Sequence, residues 1–163
     1  MPDKNDGPKS ESPEGLAQRV ARLEALEEIR DLKARYARGS DRVLTTPSRE
    51  AAIALADLFT EDGSSDLGPF GRFTGRAELI RAFEEVLPAG TRWSVHYVAN
   101  PEIEVEGDSA RGKWYFLIDA QPKSPPNAPL VKFNGEYQER YRKENGAWKI
   151  AELVTVFFAP PPA

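Results

Sequence analysis

The stretch Leu130–Phe158, LVKFNGEYQERYRKENGAWKIAELVTVFF, decides the fold class. It holds two runs rich in β-branched and aromatic residues, joined by Glu144-Asn145-Gly146. Asn-Gly between alternating runs is a hairpin signal. Alternation places Tyr137, Glu139 and Tyr141 on one face with Gly135, and Trp148, Ile150, Glu152, Val154 and Val156 on one face of the last strand. The closing APPPA cannot continue a ladder. Upstream, Ala110–Ala120 reads as a long strand whose Trp114, Phe116 and Ile118 share a face, and the proline-rich loop Gln121–Pro129 follows it. Before it, Arg92–Ala99 and Glu102–Glu106 read as strands, with Gly107-Asp108 as a turn. The second half of the chain is therefore expected to be an antiparallel meander.

The first half reads differently. Leu16, Val20, Leu23, Leu26, Ile29, Leu32 and Tyr36 recur at helical spacing, which predicts an amphipathic helix over about residues 14–43, opened by Ser12-Pro13-Glu14. Gly39 is a candidate bend or stop. Ser48 can cap a second helix carrying Ile53, Leu55, Leu58 and Phe59, with Glu61-Asp62-Gly63 as the turn that ends it. Short strands are expected at Ser64–Leu67 and Arg72–Thr74, and a third helix at Arg76–Leu87. Helices first and a meander last is an α+β order. A long curved sheet, mixed or antiparallel, wrapped around N-terminal helices encloses a cone-shaped space between the layers, which suits a small molecule. One domain over 14–158 is expected, with a disordered polar tail at 1–13 and a proline-rich tail at 159–163.

Composition narrows the function. The chain has 163 residues, 40% of them hydrophobic, and a net charge of −4. Basic and acidic residues are interspersed, so no nucleic-acid footprint is present. No apolar run reaches the roughly 20 residues of a membrane helix. No apolar signal core precedes residue 14, and together with the absence of cysteine this makes a cytoplasmic setting the expectation. Without cysteine there is no disulfide, thiol nucleophile or thiolate metal site. There is a single histidine, so no histidine-rich metal site is expected. No glycine-rich phosphate loop is present, and no cofactor is expected.

His96 is thus the one side chain whose ordinary range suits proton transfer near neutral pH. It has two readings, a hydrogen-bonded core histidine or a general base. Asp41 follows Gly39-Ser40; it is either a solvated capping residue or, beside the small Ala34 and Ala37, a carboxylate facing a cavity. Tyr36 lies on the apolar stripe, as core or as a phenol that polarises a bound oxygen. Phe59 and Trp93 supply apolar wall, and Tyr115 and Tyr137 are strand tyrosines that either pack or bind. Glu152 stands among apolar neighbours, as a buried acid or as half of an ion pair with an arginine.

Four segments, in this order and spacing, resemble the SnoaL-like branch of the nuclear-transport-factor-two-like superfamily. They are LEEIRDLKARYARGSD at 26–41, LADLFTEDG at 55–63 with GRFTGRAELIRAF at 71–83, HYVAN at 96–100 with PEIEVEGDSA after it, and GEYQERYRKENGAWKIAEL at 135–153. The resemblance implies an α+β barrel. Scytalone dehydratase, bile-acid dehydratases and hexachlorocyclohexane dehydrochlorinase are similar, and they use a His–Asp pair. Carried over, this makes His96 and Asp41 the catalytic pair with Tyr36 beside them. The residues themselves, rather than the resemblance, make Phe59, Trp93, Tyr115, Tyr137 and Glu152 the expected substrate-binding set. Dehydrochlorinase-like members carry a basic residue near the middle of the last strand, where this chain has Glu152; that points away from dehalogenation. The expected activity is a dehydratase-like lyase or an isomerase acting on a small hydrophobic cyclic hydroxy-carbonyl compound. A biosynthetic cyclase and a non-catalytic binding module are the alternatives, and a homodimer or homotrimer is the expected assembly.

Overall fold

The computed structural model describes residues 12–159. The tails expected at 1–13 and 159–163 lie outside the described residues except for their inner ends. Helix α1 spans Pro13–Thr45, with the Ser12 hydroxyl accepting from the Gly15 amide and Pro13 in the first turn, where its missing donor costs nothing. Gly39 does not bend it. A side chain there would meet Leu55 Cδ1 at 2.8 Å, so this glycine lets the second helix pack close. That helix, α2 (Arg49–Ala56), is capped by Ser48 and is shorter than expected. Phe59 already belongs to strand β1 (Phe59–Asp66), and Glu61-Asp62-Gly63 forms an irregularity within that strand rather than a turn before it.

Strand β2 (Arg72–Thr74) pairs antiparallel with β1. Helix α3 (Arg76–Arg81) is half as long as predicted, because the chain widens into a π-turn at Ala82–Val86 and tightens over Leu87–Ala89, which contains Pro88. The two strands expected at 92–99 and 102–106 are one, β3 (Thr91–Glu106), with an irregular step at 99–102 where Asn100 takes a φ of 51°. Strands β4 (Ser109–Pro122), β5 (Val131–Glu144) and β6 (Ala147–Phe157) complete the predicted meander.

The six strands run in the order β2-β1-β6-β5-β4-β3, antiparallel except where β1 pairs parallel with β6. This mixed sheet is curved and unclosed, and α1 lies in its concave side, mainly against β3. The core fills that side with Ile29, Leu32 and Tyr36 from α1 against Phe116, Tyr137, Ile150 and Leu153 from the sheet. Close approach again requires glycine at Gly135, where a Cβ would meet the Phe116 ring at 2.8 Å. No described helix is long and apolar enough to cross a membrane.

One bulge changes which residues face inward. Arg140 pairs with Glu152 and Tyr141 with Ile150, so Ala151 is an extra residue in β6. A bulge reverses the alternation beyond it. Trp148 and Ile150 point into the core before the bulge, and Leu153 and Thr155 after it. The single-face reading of Trp148, Ile150, Glu152, Val154 and Val156 is therefore wrong from Glu152 onward.

Candidate active site

Asp41 lies near the end of α1 and reaches β3. Its Oδ1 accepts a hydrogen bond from His96 Nδ1 at 2.6 Å and one from the Ser94 hydroxyl at 2.9 Å. Its Oδ2 accepts from the His96 backbone amide at 3.1 Å. The imidazole is thus fixed in orientation, with Nδ1–H toward the carboxylate and Nε2 left as the ring's free acceptor. The His96 side chain is 8% exposed and that of Asp41 26%. Ser94 and His96, two apart on β3, face inward together.

A cavity of about 350 Å³ opens beside this pair. Tyr36, Ser40, Thr91, Ser94, His96, Tyr137 and Thr155 supply its polar side chains. Phe70, Phe83, Ile118, Phe133 and Phe157 make up much of its apolar wall. Phe70, Phe133 and Phe157 form a three-ring cluster with centroids 5.7 to 6.1 Å apart. Apart from His96, no lysine, arginine, histidine or carboxylate lines the cavity. Burial, reinforced by the Glu139 charge, pushes the Tyr36 hydroxyl above its ordinary range, with a hydrogen bond from Ser40 opposing. Tyr137 is raised in the same way, first by burial and then by Tyr36, Glu139 and Asp41. Both phenols are therefore neutral at physiological pH and able to donate hydrogen bonds.

Under these two rings lies a second acid–base pair. Lys33 is completely buried, and its ammonium donates to Glu139 Oε1 on β5. Its Nζ is 3.7 Å from the Tyr137 ring centroid and 4.4 Å from that of Tyr36. Glu139 also accepts from the Tyr141 hydroxyl, which in turn accepts from Trp114 Nε1 at 2.8 Å. Burial pulls Lys33 below the usual lysine range, and Glu139 opposes that shift. Gly112 makes room for this network, since a Cβ there would be 2.9 Å from the Tyr141 ring.

The structure brings Tyr36, His96 and Tyr137 to the cavity wall, with Asp41 directly behind His96. Phe59 is not on the wall; it packs edge-on behind Tyr36 at 6.1 Å. Trp93 lies outside the cavity, on the strand face opposite Ser94 and His96. Tyr115 faces outward and meets Phe158 edge-on at 5.6 Å. Glu152 is also on the outer face, paired with Arg140 at 3.4 Å and Arg72 at 3.9 Å, because the bulge turns it away from the cavity. Three of the five expected binding residues therefore face away from the cavity, and Phe59 only supports it. Sequence reading missed Lys33, Thr155, Phe133 and Phe157. Lys33 left a signal, a lysine four residues after Ile29 on the apolar stripe. Thr155 left none, since its direction depends on the bulge. Among the described residues no group of three or more His, Asp or Glu is placed to hold a metal ion.

A cone of curved sheet around a long helix, with a cavity at its centre, is a fold of the nuclear-transport-factor-two-like class. Within it, the chain belongs to the SnoaL-like family, whose model matches residues 21–154. A hexachlorocyclohexane dehydrochlorinase structure is similar at a TM-score of 0.75 and 20% identity, covering 88% of this chain and 93% of that one. A protein of Novosphingobium aromaticivorans provisionally named a scytalone dehydratase is similar at 0.73 and 21%, covering 85% and 87%. Another from the same organism, provisionally named an aromatic ring hydroxylase, is similar at 0.72 and 29%, covering 85% and 92%. A search of curated proteins found no match.

Proposed function

We propose that the chain is a cofactor-independent lyase or isomerase acting on a small, uncharged, cyclic hydroxy-carbonyl compound. The observation that carries this reading is His96, oriented by Asp41, facing an apolar cavity that contains no other charged side chain. His96 Nε2 takes a proton from the carbon next to the carbonyl. The electron pair moves onto the carbonyl oxygen, where the Tyr36 and Tyr137 hydroxyls donate hydrogen bonds to the developing charge. Asp41 stays ionised and holds Nδ1–H throughout. The imidazolium then gives its proton to a leaving hydroxyl, which departs as water, or to another carbon, which moves the double bond. Ring closure in a biosynthetic cyclase can start from the same enolate. The dehydratase and dehydrochlorinase names of structural relatives are consistent with this chemistry, and the outward-facing Glu152 has no part in it.

The test is turnover of a panel of cyclic hydroxy-ketones by purified wild type and His96→Ala. A loss of about 10²–10⁴-fold is expected for removal of a general base. Equal turnover by the two proteins would refute His96 as the base, and turnover by neither would favour a binding module without chemistry.

We also infer that the chain forms a homo-oligomer through the outer face of the sheet. Val95, Tyr97, Tyr115, Leu117, Val156 and Phe158 are all exposed there, an apolar group of the kind that marks subunit contacts. Light scattering on Tyr115→Lys protein is expected to show a smaller species than the wild type; a monomeric wild type would refute the inference.

A further inference from the structure

Thr155 sits on β6 beside Tyr137, its cross-strand partner on β5. Its side chain lines the cavity and is 9% exposed, yet its hydroxyl has no hydrogen-bond partner among the described residues. The two serine hydroxyls on the wall are engaged, Ser94 with Asp41 and Ser40 with Tyr36. A buried hydroxyl without a partner costs stability, so one facing a ligand cavity is explained by a ligand that completes it. Thr155 is also far from His96. Their strands are three apart in the sheet, roughly 14 Å at ordinary strand spacing, and their rows, His96–Ile118–Phe133 and Tyr137–Thr155, are offset by four residues along β5, about 13 Å more; the concave curve of the sheet shortens the direct path. Between them the cavity wall carries the rings of Phe133 and Phe157, which Phe70 closes from above.

We propose that Thr155 is a ligand-positioning residue, and that the compound bound is an uncharged ring with oxygen functions at two opposite ends. One oxygen meets the phenols beside His96 and the other meets the Thr155 hydroxyl, while the ring lies against the three phenylalanines. This deepens the proton-abstraction reading and rests on it for the end at which chemistry occurs. The hydroxyl fixes which carbon is presented to His96. It takes no part in breaking bonds.

The experiment uses two probes that differ only in the far oxygen, acetophenone and 4-hydroxyacetophenone, titrated calorimetrically into the full-length wild type, Thr155→Val and Thr155→Ser. Wild type is expected to bind the hydroxylated probe more tightly. Thr155→Val should weaken that probe by about tenfold, the effect of one lost hydrogen bond, leave acetophenone unchanged, and keep the wild-type Tm or raise it. Thr155→Ser should restore the preference. Failure of the wild type to bind or to discriminate overturns the proposal. So does an equal loss for both probes in Thr155→Val, or a drop in its Tm of several degrees, since each means that the hydroxyl serves the fold. Binding is read without turnover, and the His96→Ala protein should keep the preference. A wild type that discriminates between the probes but turns over no hydroxy-ketone would sink the enzyme reading and leave Thr155 in place.

Discussion

Besides the exposed Glu28–Lys143 contact, helix α1 meets the sheet through two inward-facing acid–base pairs, Lys33 with Glu139 on β5 and Asp41 with His96 on β3. Eight positions separate Lys33 from Asp41, about two turns or 12 Å along the same helix. Both pairs are hydrogen-bonded and largely removed from water. They differ in what lies beside them. Lys33–Glu139 is closed in by Tyr36, Tyr137 and Tyr141, with no exposed side-chain surface at either residue. Asp41–His96 has a cavity against its free imidazole nitrogen. Burial and pairing are therefore common to both, and only the Asp41–His96 pair is placed where a second molecule could reach it. The sealed pair packs against the two phenol rings, and the open one borders the cavity; under the proposed function the free imidazole nitrogen is the base.

The comparison breaks most sharply at Lys33. Lys33→Met leaves the Glu139 carboxylate buried without its cation, and a loss of about 3–5 kcal/mol in urea unfolding is expected. Lys33→Met combined with Glu139→Leu removes both charges and should recover most of that loss. Asp41→Asn tests the other pair. It should lower turnover by about 10²–10³-fold through the lost orientation of His96, while costing only about 1–3 kcal/mol of stability. If the double variant of the sealed pair were as inactive as Asp41→Asn, the division of labour would fail. The smallest effect is a pH dependence. Tyr36, Tyr137 and Tyr141 are all raised above the ordinary value of 10.0, so the unfolded chain releases these protons first. Stability is then full below that value and declines as pH rises through it. Lys33, lowered in the folded state, acts in the opposite direction between its folded and unfolded values. Melting curves from pH 9 to 11 should show a net decline, shallower in Tyr141→Phe.

Much of this arrangement could be read from local pattern. The helical stripe through Tyr36, the Asn145-Gly146 turn and the meander follow from periodicity and turn chemistry, and the structure has them. The His96–Asp41 contact joins residues 55 apart and came only through the family resemblance, since no periodicity links a helix end to a strand so distant. Glu152 failed for a physical reason. Alternation carries its phase along a strand only until a residue is inserted, and Ala151 is that residue. The same insertion turned Thr155 inward. Gly39 looks like a breaker in the sequence because glycine serves both as a breaker and as a place where another element comes near, and only the position of Leu55 separates the two.

The lack of charged groups on the cavity wall, His96 aside, also governs how a ligand arrives. Nothing on that wall draws a solute in over a distance, so entry resembles extraction from water into an oil droplet with a few fixed polar points. Uptake should then follow the ligand's octanol–water partition coefficient and barely respond to added salt, because the interactions that ionic strength screens have no counterpart there.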